Sequence, residues 1–431
     1  MVVPSEMEPV TPKASETISL SSFDKRAGPF PVTLLLAYDR PIHEPVETIK
    51  ISLSRALAHY QPIAGRLNDG GAAIVCTGEG VLFVGARASC ALEELVDKDD
   101  AAPLKDLAIG YPSEPCRESD PLLLVQVTEF ICGGFVIGVV WNHVIADGAG
   151  MAQFLQAVGE LSRGVSPPSV LPARRWDDSL PGLPPSMATA QKPSSMVGGL
   201  LGMVRHDMTI PWSVVNDIKA AGFGSGGETC TAFEAIAAVL WRCRTRAALS
   251  GDDPNYPAPL YFPCNLRALV GAAAGYYGNC VVVQAVPATS GEVANSTIGE
   301  LVRRIRLAKE KVPDLLRPSS DVKSNDDGEP ASNSSSGDRG EADGRPAQNR
   351  NWMYNVLTLL SWRNLGFEAA NFGSGGASRV MWHGEPMVPS FVACPPRKGR
   401  GDDGVSVSSM CVKPEHADAF LGELAKLTAS N

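Results

Sequence analysis

Between Phe130 and Phe154 the chain reads F-I-C-G-G-F-V-I-G-V-V-W-N-H-V-I-A-D-G-A-G-M-A-Q-F, and this stretch restricts the fold more than any other. Phe135 to Trp141 is short, apolar and rich in β-branched residues, which reads as a buried strand. Met151, Phe154, Leu155, Val158 and Leu161 recur at helical spacing, so a helix follows. Asp147 stands where an N-cap belongs. A strand running straight into a helix points to an α/β fold. The turn between them lies at the carboxyl end of the strand, where such folds commonly place ligand sites.

That turn holds His143 and Asp147, followed by Gly148. A histidine held by backbone at a strand end can act as a pre-oriented general base. The bland reading stands beside it: a hydrogen-bonded turn histidine and an aspartate that only caps a helix. His43, His59, His206, His383 and His416 have no aspartate four residues on, so the H-x-x-x-D-G spacing occurs once. The motif by itself leaves the two readings level.

A length of 431 residues exceeds one ordinary core and suggests two domains. The formal charge of −9 argues against nucleic acid or an anionic membrane as partner. The short basic run Arg303 to Lys311 reads as a solvated helix face. Met1 to Thr17 lacks a charged-then-apolar signal pattern, and no apolar run is long enough to span a bilayer. The 10 cysteines are scattered without C-x-x-C, which suggests reduced, mostly buried thiols, a cytoplasmic location and no metal site.

Along the first half, Val32–Ala37, Ile74–Val75, Val81–Val84 and Leu122–Thr128 read as strands, and Val46–His59 as a helix. Arg163 to Ser195 then carries 7 prolines and little periodicity, as an extended connector would. In the second half, Ser213–Ala221, Thr231–Leu249, Ile298–Lys311 and Ala417–Leu427 read as helices, and Leu260–Cys264, Asn279–Val286 and Val405–Val412 as strands. Asp321 to Arg350 is rich in Ser, Gly, Asn and Asp and reads as a disordered insertion. The boundaries expected are an N-terminal domain over 1–163, a crossover over 164–203 and a C-terminal domain over 204–431. Gly222 to Gly227 matches G-x-G-x-x-G but follows a helix instead of a strand, so it reads as a loop. Gly373-Ser374-Gly375-Gly376 lacks the nucleophile-elbow spacing, which makes Ser374 a loop residue.

Several separated stretches point one way. They are Tyr60-Gln-Pro-Ile-Ala-Gly-Arg66-Leu67, Cys132-Gly-Gly-Phe135, His143-Val-Ile-Ala-Asp147-Gly148, Thr231-Ala-Phe233-Glu234, Trp241-Arg-Cys-Arg244, Asn265-Leu-Arg267 and Gly275-Tyr-Tyr-Gly-Asn279. In this order, and over nearly the whole chain, they resemble the plant BAHD acyltransferases. The resemblance implies two chloramphenicol-acetyltransferase-like α/β domains with mixed sheets, helices around them and an active-site channel between. It implies a monomer with no permanently bound cofactor. It also implies transfer of an acyl group from the cosubstrate acyl-CoA to a hydroxyl or amine of a small acceptor, without a covalent acyl-enzyme.

The same resemblance assigns His143 as general base and makes Asp147 structural, paired with Arg267. Trp362 is placed at the reacting carbonyl as an oxyanion donor, and Thr231 on the CoA side. Two positions depart from the family. Leu360 stands where a threonine is common, and Asn371-Phe372-Gly373-Ser374-Gly375 replaces D-F-G-W-G. Asn371 keeps hydrogen-bonding capacity but loses the charge, and Ser374 removes a large packing surface. The departures leave open a non-catalytic binding protein on the same fold. A condensation-type domain acting on carrier-protein thioesters would carry a second histidine where Asn142 stands.

Overall fold

The computed structural model describes residues 1–6, 16–68, 70–96, 102–174, 180, 202–222, 229–249, 253–316, 352–384, 386, 388–398 and 404–429. The proposed insertion 321–350, the glycine run beyond Gly222 and most of the proline-rich connector lie outside these residues.

The run Phe135–Asn142 is buried along its whole length. It lies between Pro31–Tyr38 and Leu123–Phe130, antiparallel to both. With neighbours on both edges and core on both faces, such a strand has no polar side to alternate with, hence its unbroken apolar sequence. Leu82–Ala88 adds in parallel beyond Leu123–Phe130, and Arg379–His383 adds beyond Pro31–Tyr38, completing five strands. The helices Pro45–His59 and Gly148–Ser162 pack together and share one apolar core with this sheet.

A second, six-stranded mixed sheet runs Val281–Val286, Leu260–Asn265, Leu357–Ser361, Ser390–Cys394, Gly404–Val412, Val204–Pro211. Its core centres on the helix Ala232–Ala248, which packs against Ile298–Glu310 and Pro414–Ala429. There Trp241 donates its indole N–H to the Ala258 carbonyl at 2.9 Å. A small sheet of Thr17–Ser19, Ala73–Val75 and Arg66–Asn68 completes the fold. This is a mixed α/β fold built around two large sheets.

The halves are not separated at residue 204. Arg379–His383 belongs to the first sheet, where it covers the otherwise bare edge of Pro31–Tyr38 and buries Val380 and Met381. Trp362, Phe367 and Phe372 also join the first core. The strands Val204–Pro211, Leu357–Ser361, Arg379–His383 and Ser390–Cys394 were not foreseen from sequence. Among the described residues no helix is long and apolar enough to cross a membrane.

Candidate active site

His143 opens a short 3-10 turn directly after the buried strand. The Asn142 side-chain oxygen caps that turn by accepting the Val144 N–H at 3.2 Å. The His143 N–H donates to the Phe30 carbonyl at 2.8 Å, and its carbonyl accepts from Asn279 Nδ2 at 2.8 Å. Both peptide groups flanking the imidazole are therefore fixed. The side chain is half-buried, and Nδ1 is enclosed without a hydrogen-bond partner among the described residues.

Four residues later Asp147 caps the helix Gly148–Ser162, its Oδ1 accepting the Gly150 N–H at 3.0 Å. Arg267 grips the same carboxylate with two parallel bonds of 2.8 Å, the bidentate geometry that makes such pairs strong. The Cys280 N–H adds a bond of 3.0 Å to Oδ2. Burial alone would lower the Arg267 pKa, but the Asp147 carboxylate beside it outweighs burial and holds the guanidinium up. Asp147 is only 3% exposed, and both its oxygens are spent on these donors. Arg267 also donates to the Gly278 carbonyl at 2.7 Å, which ties the helix start to the Gly275–Asn279 segment. The approach is so close that a Cβ at Gly150 would overlap the Tyr277 carbonyl.

Trp362 follows the strand Leu357–Ser361 and is 5% exposed, with its ring 5.3 Å from Phe367. The loop that follows lies against the start of the Asp147-capped helix, where a Cβ at Gly148 would meet Leu365 at 2.6 Å. Leu360 packs on the same core and offers no donor.

A cavity of about 420 Å³ opens on the six-stranded sheet. Phe233, Phe262, Asn265, Lys309 and Ser361 are among its walls. Its walls include Ser361, next in the chain to Trp362, and Asn265, whose side-chain oxygen accepts from Arg267, the partner of Asp147. Thr231 does not line it. Its hydroxyl accepts the Glu234 N–H at 3.2 Å while Glu234 accepts the Thr231 N–H at 2.9 Å, a capping box that starts the helix Ala232–Ala248. The cation at the cavity is Lys309, paired with Glu234 at 2.7 Å. It lies in the basic run Arg303 to Lys311, expected as a solvated helix face, yet its ammonium pairs with the buried Glu234.

Asn371 lies away from these groups, beyond the far end of the helix Gly148–Ser162. A Cβ at Gly159 would meet its carbonyl at 2.6 Å. Its side-chain oxygen accepts the Gly373 and Gly375 N–H groups at 2.9 and 3.0 Å, and Arg163 donates to its backbone carbonyl. Ser374 Oγ is enclosed without a partner among the described residues.

A second buried carboxylate, Asp24, sits behind the histidine turn with Arg174 and Asn279. Asn279 lay inside a motif noted above but without a role. Asp24 and Arg174 were not noted, although Ser21-x-x-Asp24 has capping-box spacing.

A model of the transferase family matches residues 1–422. The chain belongs to the BAHD acyltransferase family. Acyl transferase 15 of Oryza sativa subsp. japonica is 41% identical over 447 aligned positions, covering 100% of this chain and 98% of that one. Among solved structures, vinorine synthase aligns with TM-score 0.73 at 19% identity over 99% of this chain and 96% of its own. F. sporotrichioides TRI101 complexed with coenzyme A and T-2 aligns with TM-score 0.67 at 16% identity over 96% and 99% of the two chains. These likenesses establish for this BAHD chain the two-domain α/β fold that the motifs implied.

Proposed function

We propose that this BAHD chain moves an acyl group from acyl-CoA to a hydroxyl or amine of a small acceptor, with His143 as general base. The observation that carries the reading is the contrast inside the H-x-x-x-D-G turn. Asp147 has both oxygens consumed by Arg267, Gly150 and Cys280, so it cannot take a proton without breaking the turn. His143 is locked through its backbone yet half open at its ring. With Nδ1 enclosed, Nε2 is the nitrogen that faces an acceptor.

In this reading the acceptor O–H or N–H gives its proton to His143 Nε2 as its heteroatom attacks the thioester carbonyl. The tetrahedral oxyanion is met by the Trp362 indole or a backbone N–H. The C–S bond then breaks, and the CoA thiolate leaves with the proton held by His143. Both substrates sit together, so proximity replaces a covalent acyl-enzyme. The cavity lined by Ser361 and Lys309 is where this reading puts part of the CoA moiety, and TRI101, solved on the same fold with coenzyme A, supports CoA as cosubstrate. Asn142, buried and used as a turn cap, weighs against the carrier-protein reading, which wants a histidine there.

The test is a matrix of acyl-CoAs against alcohols and amines, followed by release of free thiol. The expected result is release that requires both partners and disappears in His143→Ala. Tight binding of a small molecule with no thiol release from any pair would replace the transferase by a binding protein.

A further inference from the structure

Asp24 is fully buried, yet it belongs to none of the motifs that define the reacting turn. It sits in the short helix Ser22–Ala27, and five donors converge on it. Oδ2 accepts from Ser21 N at 2.9 Å, Ser21 Oγ at 2.8 Å and Arg174 Nη1 at 3.2 Å. Oδ1 accepts both the backbone N–H and Nδ2 of Asn279 at 3.0 Å. Two of the three partner residues then reach onward to the histidine turn. Asn279 Nδ2 donates to the His143 carbonyl at 2.8 Å, and Arg174 Nη2 donates to the Val144 carbonyl at 3.2 Å. Two acceptors around one nitrogen fix which end of the Asn279 amide faces the turn.

A carboxylate that needed only to be neutralised would be served by Arg174. Here one of its oxygens is given wholly to Asn279, an uncharged relay whose remaining N–H ends on the peptide that carries the imidazole. Burial alone would lower the Arg174 pKa, but Asp24 reverses the shift and keeps it raised. The guanidinium also donates to the Val144 carbonyl. The three groups come from the amino-terminal helix, the crossover and the second half of the chain. They meet behind two consecutive carbonyls of the turn, those of His143 and Val144, the first on a peptide that flanks the His143 Cα. Asp147 and Arg267 hold the other end of the same turn.

We propose that Asp24 is a positioning residue for His143, acting through Asn279 and Arg174, so that the base is held by two carboxylate clamps that share the Gly278–Cys280 segment. The proposal rests on the reading of His143 as the base. A displacement of about 1 Å at a reacting group can cost on the order of a hundredfold in rate. Asn279→Ala should therefore lower kcat by about ten- to a hundredfold while KM for acyl-CoA stays within about twofold. The companion measurement needs no substrate. In full-length protein labelled at histidine Cε1, the His143 resonance, assigned with His143→Gln, should shift or broaden in Asn279→Ala. The resonances of His206 and His416 should stay in place. Asp24→Asn, which keeps the shape and removes the charge, should move the same resonance. If no donor and acceptor pair turns over in the unmutated protein, the transferase reading fails while the resonance still reports on the clamp. An unmoved His143 resonance, an unchanged kcat beside a moved one, or loss of every native histidine resonance in both variants would overturn the proposal.

Discussion

The chain carries two family turns that ordinarily contain aspartate, at positions 147 and 371, and it keeps the aspartate in only one. At 147 the side chain faces a guanidinium, two backbone N–H groups and almost no solvent. At 371 its oxygen accepts, among the described residues, the N–H groups of Gly373 and Gly375. The first environment needs a charge, because an unpaired buried arginine is costly. The second needs an acceptor, which an amide oxygen supplies as well as a carboxylate does. What a motif aspartate does is therefore decided by whether a cation stands opposite it. The departure at Asn371 removes a charge, and the turn stays tied by the Asn371 side-chain oxygen and by Arg163 on its backbone carbonyl.

On the proposed function the chemistry belongs to the first turn alone, and His143→Ala is its severest test. A positioned base typically supplies about a hundred- to ten-thousand-fold in rate, so turnover should fall by that order with the unfolding temperature unchanged. Acyl transfer near the unmutated rate would remove the first turn from the chemistry.

Asp147→Asn comes next, since it imposes on the first turn the chemistry of the second. Breaking a buried pair by neutralising one partner costs about 3 kcal/mol, the low end being apt because Arg267 is 20% exposed. Thermal unfolding should begin several degrees lower, and activity should fall with it. A loss of activity with unfolding unmoved would make Asp147 a chemical participant.

Much of the first turn could be read from sequence because its signals are local. The apolar run, the helical spacing after it and Asp147 at the N-cap lie within about thirty residues and obey short-range rules. The edges and the rear support could not be read this way. Val204–Pro211 and Arg379–His383 carry polar residues and pair with strands far away in the chain, so no local period marks them. Asp24 meets Arg174 across 150 positions and Asn279 across 255. Their meaning arises only when three regions fold together. Thr231 shows the reverse case, a residue noted for its motif whose hydroxyl serves as a helix cap.

Glu234 extends the comparison to a third acidic position, one with cations opposite. Burial pushes its pKa up, but Lys309, the Thr231 N–H and Arg306 outweigh burial and leave it below the usual carboxylate value. A depressed folded pKa stabilises above the unfolded pKa, and that contribution is lost as pH falls through the lower folded value. Denaturant midpoints of the unmutated protein should therefore fall on acidification below about pH 4.5, and less steeply in Glu234→Gln. At neutral pH the substitution should cost about 1 kcal/mol, since Lys309 is 35% exposed and solvent screens the pair. Parallel acid limbs in the two proteins would show that the pair contributes nothing.

The smallest effect belongs to Asn371→Asp, which restores the family residue. The carboxylate would keep both backbone bonds, since each uses an acceptor oxygen that Asn and Asp share. Its new charge would stand at a half-buried position, with Arg163, which donates to the Asn371 carbonyl, as a cation the structure ties to this residue. Stability should change by less than about 0.5 kcal/mol, and kcat and KM by less than about twofold. A gain of tenfold or more would mean that the missing charge at 371 limits the present chain, and that an acceptor oxygen alone does not do the work of the family aspartate. A null result, set beside the loss in Asp147→Asn, would tie the difference between the two turns to Arg267, because the two exchanges are the same chemistry run in opposite directions.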